Sequence, residues 1–72
     1  MMEKLMLVVT EVAEAAEAYR KDDRVGFHEE IADTIIRLLD ICGSVHIDIE
    51  AEVKAKMERN RDREYKHGGK RC

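Results

Sequence analysis

Glu11 and Glu14, and again Glu30 and Asp33, stand three residues apart inside runs that otherwise read as apolar helix. On a helix, residues three or four apart lie one above the other, so each pair offers carboxylate oxygens to one small volume. If the two segments pack as an antiparallel hairpin, four carboxylates converge, and their repulsion must be offset by protons or cations. A hard divalent ion is the natural counterpart, because Mg²⁺ prefers oxygen ligands and takes waters and phosphate oxygens into its shell. The acidic pairs therefore point to phosphate chemistry. Judged alone, Glu30, Asp33, Arg37 and Asp40 read better as a solvated helix face, with Asp33 and Arg37 forming an i,i+4 ion pair worth about 0.2–0.5 kcal/mol.

The elements that must position these side chains are helical. The chain lacks proline, is 4% aromatic, and is rich in Ala, Glu, Lys, Leu and Ile, a composition that favours an all-α fold. From Glu3 to Tyr19, Leu5, Val8, Val12, Ala15 and Tyr19 recur at steps of three and four and predict one buried stripe, with Glu11 and Glu14 off it. Arg20 to Arg24 interrupts that pattern, and its two aspartates are N-cap candidates for the next helix. The second helix, roughly Val25 to Gly43, is expected to bury Ile31, Ile35, Leu38, Leu39 and Cys42, with Glu30, Asp33, Arg37 and Asp40 on the opposite face. Gly43 is read as its stop and Asp48 as the N-cap of a third helix. In that third helix Ile49, Val53 and Met57 form an apolar edge, while Lys56, Asn60 and Arg63 align on another face as phosphate-binding candidates. Residues 64–72 read as a flexible basic tail. The fold expected is a helix hairpin plus a third helix, assembling into a multi-helix bundle by oligomerisation.

Seventy-two residues make one small domain, residues 1–72, and so short a chain buries little surface by itself. The broad apolar coverage of the second helix predicts self-association as a dimer or tetramer. Cys42 and Cys72 have no metal-finger spacing and read as reduced thiols; His28, His46 and His67 are isolated. No segment reads as a signal peptide or membrane span, so a soluble cytoplasmic protein is expected. The net charge of −3 conceals an acidic first two-thirds and a basic end from Lys54 onward. Nucleic acid is not the expected partner, since the helices carrying the pattern are acidic and stacking aromatics are scarce.

Taken together, Glu11-x-x-Glu14, Glu30-x-x-Asp33, then Lys56-x-x-x-Asn60-x-x-Arg63 and a Tyr-Lys-His-Gly-Gly-Lys stretch resemble the MazG-like nucleoside triphosphate pyrophosphohydrolases of the all-α NTP pyrophosphatase superfamily. The likeness spans nearly the whole chain. It implies hydrolysis of a nucleoside triphosphate to the monophosphate and pyrophosphate, a nucleotide-pool housekeeping activity. It also implies Glu11, Glu14, Glu30 and Asp33 as the catalytic ligands of Mg²⁺, or of Mn²⁺ in its place. Lys56, Asn60 and Arg63 would bind the phosphates, with Tyr65 and Lys70 beside them. Thr10 stands where the family often has a further glutamate, which leaves the number of metal ions open. Family members usually carry a helix ahead of the first signature, whereas this sequence begins almost at the signature, so impaired turnover is expected. The alternative function is a non-catalytic helical assembly module with a metal- or nucleotide-binding acidic cleft.

Overall fold

The computed structural model describes the backbone of residues 1–71 and the side chains of residues 1–63. It is all-helical, with no strand among the described residues: α1 spans Met2–Arg20, α2 Arg24–Ser44 and α3 Ile49–Arg71.

The turn between α1 and α2 is closed by hydrogen bonds at both ends. Asp22 adopts a left-handed φ of 59°, the Asp23 N–H donates to the Ala18 carbonyl at 2.9 Å, and the Asp22 N–H donates to that of Tyr19 at 3.1 Å. This is the Schellman pattern, which satisfies carbonyls that the end of α1 would otherwise leave orphaned. Asp23 then caps α2, its Oδ1 accepting from the Gly26 N–H at 3.0 Å. One residue thus ends one helix and begins the next, as the aspartates in the connection led us to expect. The helices run antiparallel: Lys4 meets Asp40, Glu11 meets Arg37, and the rings of Tyr19 and Phe27 meet edge to face at 5.4 Å.

The seam of the hairpin differs from the apolar stripes expected. Val8, Glu11, Ala15 and Ala18 are the covered positions toward the middle of α1, and Glu30, Thr34, Arg37 and Ile41 face them as the covered line of α2. Leu5, Val12 and Tyr19 stand exposed beside that seam, as do Ile31, Ile35, Leu38 and Leu39. The small Ala15 and Ala18 let the helices approach closely, and a Glu11–Arg37 pair offsets the charge that this closeness brings inside. The larger apolar side chains are pushed to the flank, where the single chain has no third layer to cover them. Among the described residues, Ala15 and Ile41 are the only buried apolar ones, too few to make a core.

At its far end α2 runs past Gly43 to Ser44. His46, with φ 59°, takes the left-handed position, and the Ile47 N–H closes on the Cys42 carbonyl at 2.9 Å. The signal for this helix end is therefore a histidine in a conformation that glycine usually takes. Asp48 caps α3 through the Ala51 N–H at 3.2 Å. The helix continues beyond Arg63 to Arg71, past the point where the apolar pattern stops and a tail was expected. Beyond its first turn α3 stands apart from the hairpin, with which it makes almost no contact.

Candidate metal centre

The three-residue connection, Lys21 to Asp23, sets the register that decides which carboxylates meet. Glu11 and Glu14 lie one turn apart on α1, and the antiparallel register brings Glu30 of α2 to them. The three offer oxygens lying within 4.8 Å of one another. Glu11 is buried, Glu30 partly covered and Glu14 exposed, so the group opens to solvent on one side. Glu30 Oε2 is buried without a hydrogen-bond partner. Such an atom is costly to leave unpaired, and a proton or a cation is what satisfies it.

The electrostatics answer in the first of those ways. Glu30 is pushed from its ordinary value of 4.5 up to about 7, chiefly by hydrogen bonding to Glu11, then by burial, and further by Glu14. Crowding by two neighbouring carboxylates and the cover over Glu30 both favour its neutral form. Glu11 stays matched through Arg37, whose Nε donates to Glu11 Oε1 at 3.0 Å.

Asp33 is not drawn into the group. It lines a separate open cleft of about 370 Å³ with Ile36, Arg37 and Asp40. Arg37, expected to pair with Asp33 along its own helix, reaches across to Glu11 instead, and no ion pair joins it to Asp33 among the described residues. The structure thus gathers three of the four expected carboxylates. A second cleft, lined by Glu14, Glu17, Ala18, Lys21, Asp23, Gly26 and Glu30, connects the group to the turn.

Lys56, Asn60 and Arg63 are exposed on α3 and are not brought to the carboxylates of their own chain. Ile49, Val53, Lys56, Asn60 and Arg63 follow one another at steps of four, three, four and three, which places them along one stripe rather than on two faces. The side chains of Tyr65 and Lys70 lie outside the described residues, as does Cys72. Thr10 bonds its hydroxyl to the Met6 carbonyl at 3.1 Å, a contact within its own helix.

Arg37 is the residue that the sequence reading missed. Its signal lay in the register: a hairpin turning at residues 21–23 pairs positions whose numbers total about the same, as Lys4 with Asp40 and Glu14 with Glu30 do, and Glu11 with Arg37 nearly so. A cavity of about 540 Å³ at the turn, lined by Tyr19, Asp22, Asp23, Arg24, Phe27 and His28, involves none of the three carboxylates. Among the described residues no helix is long and apolar enough to cross a membrane. Comparison with known protein families, with curated proteins and with solved structures finds no match to this chain.

Proposed function

We propose that this protein is a Mg²⁺-dependent nucleoside triphosphate pyrophosphohydrolase, releasing a nucleoside monophosphate and pyrophosphate. The observation that carries the reading is the meeting of Glu11, Glu14 and Glu30 within 4.8 Å, with one buried oxygen of Glu30 unpartnered. The donor set fits a hard cation, since it consists of carboxylate oxygens with no thiol or imidazole among them. When bound, Mg²⁺ or Mn²⁺ neutralises phosphate charge and lowers the pKa of a water molecule.

The chain's own residues would do the rest. Arg37 donates to Oε1 of Glu11 and would hold that carboxylate in place for a ligand. With a cation bound, Glu30 would serve as a ligand in its deprotonated form, its proton released to solvent. Asp33 lies one turn along α2 from Glu30 and would join the site only through a change in its surroundings. Lys56, Asn60 and Arg63, with Tyr65 and Lys70, would hold the triphosphate by charge-assisted hydrogen bonds and keep the attacked phosphorus in line. In the reaction a water oxygen would bond to the α-phosphorus and lose its proton to solvent, the bond from that phosphorus to the α–β bridging oxygen would break, and pyrophosphate would leave with the electron pair. A homo-oligomer is part of the proposal, because the apolar flank of the hairpin needs cover.

That exposed flank also favours a second reading, a non-catalytic assembly module whose acidic cleft binds metal or nucleotide. The test is a panel of ribo- and deoxyribonucleoside triphosphates incubated with Mg²⁺, with products identified by phosphorus NMR. Monophosphate and pyrophosphate, abolished by Glu14→Gln, are the expected result. Nucleoside diphosphate with inorganic phosphate, or no turnover of any nucleotide, overturns the pyrophosphohydrolase, and the second outcome leaves the assembly module standing.

A further inference from the structure

Glu11 is a buried carboxylate whose charge is matched from one side. The residue is 8% exposed, so water cannot stand in for a counter-charge, and a cationic partner is needed in every state of the site. In the hairpin that partner is Arg37, reaching across from α2 with its Nε 3.0 Å from Oε1. Among the described residues no other basic side chain pairs with Glu11, Glu14 or Glu30. Lys21 borders the same cleft but pairs with Glu17 at 3.5 Å instead.

The two ends of the Glu11–Arg37 pair differ in freedom. Glu11 sits in the seam between the helices, whereas the side chain of Arg37 is 42% exposed. Arg37 also has carboxylates on its own helix, Asp33 four residues before it and Asp40 three after, which line an open cleft with it. A guanidinium released from Glu11 therefore has both water and carboxylates to receive it. A cation held by Glu11, in contrast, stands a few ångströms from that guanidinium. Repulsion between a unit charge and a divalent ion at such range weakens binding by about tenfold even through the dielectric constant of water. We infer that Arg37 is an internal competitor for the cation: guanidinium and divalent ion contend for the carboxylate of Glu11, and Arg37 thereby sets the ion concentration at which the centre fills. By linkage the effect is reciprocal, so the ion loosens the Arg37–Glu11 pair by the factor by which Arg37 weakens the ion. Arg37 is a positioning residue on this account, holding Glu11 in the seam until an ion takes it. The inference rests on the metal centre proposed above and says what governs its affinity.

Mg²⁺ and Mn²⁺ are titrated by calorimetry at pH 8 into the full chain, Arg37→Gln and Arg37→Lys, with the folding of each checked by circular dichroism. Arg37→Gln should bind the ion about tenfold tighter than the wild type, and Arg37→Lys, which keeps the charge, should stay near the wild-type value. A role confined to holding the helices together predicts the opposite sign, weaker binding in both variants. In the wild type the Arg37 Nε–H, assigned in ¹⁵N NMR spectra by its loss in Arg37→Lys, should exchange with water faster as Mg²⁺ saturates, which tests the inference even where Arg37→Gln fails to fold. Equal or weaker binding by Arg37→Gln, or an Nε–H signal unmoved at saturation, overturns the inference and leaves the metal centre standing. An absence of binding in all three proteins overturns both.

Discussion

Glu30 concentrates the chemistry of the hairpin in one carboxyl group. Folding raises it from 4.5 to about 7, so between those values the native state holds a proton that the unfolded chain releases. Its contribution to the metal-free fold is fully present below about pH 4.5 and is lost as the pH rises through about 7. Urea midpoints measured from pH 4.5 to 8 without metal should fall across that window, and Glu30→Gln, which keeps a donor at all pH values, should flatten the decline. A wild-type profile as flat as that of the variant would mean that Glu30 ionises as an ordinary surface carboxylate. Arg37 acts at the same scale. Its loss leaves the buried Glu11 without its counter-charge, which costs about 1–3 kcal/mol, discounted toward the lower value because the Arg37 side chain is itself partly exposed. Arg37→Gln should lower the denaturant midpoint accordingly, and Mg²⁺ should recover part of the loss by supplying positive charge to Glu11.

At the scale of the helices, caps decide where elements begin, and two of them were legible. Asp23 and Asp48 stand where acidic side chains can accept from the first free N–H groups, and both do so. Asp23→Ala should destabilise the fold by about 1 kcal/mol, read as a shift in the urea midpoint; no shift would show that the cap is solvated rather than bonded. The seam was less legible. Periodicity finds apolar stripes but does not say which of two adjoining faces a small chain turns inward, and here Ala15 and Ala18, with the Glu11–Arg37 pair, took the seam while Leu5 and Val12 did not. The end of α2 was hidden for a different reason: His46 accepts a left-handed φ that composition assigns to Gly43. Three of the four carboxylates come together because their spacing matches the turn, whereas the place of Asp33 depended on a contact made by Arg37, which spacing along one helix could not reveal.

For the whole molecule, the exposed flank of Ile31, Ile35, Leu38 and Leu39 is the surface that the proposed association would cover. Ile35→Asp combined with Leu39→Asp should leave an unfolded or aggregated chain, checked by circular dichroism and light scattering; a folded monomer at micromolar concentration would contradict that account. The cation site itself is tested most directly by titrating Mg²⁺ and Mn²⁺ into the full chain by calorimetry near pH 6 in buffers of differing ionisation enthalpy. Binding should be accompanied by release of a proton from Glu30, should raise the melting temperature, and should be abolished by Glu14→Gln and by Glu30→Gln. Equal affinity in the wild type and both variants, or no binding in any of them, would contradict a metal centre formed by Glu11, Glu14 and Glu30.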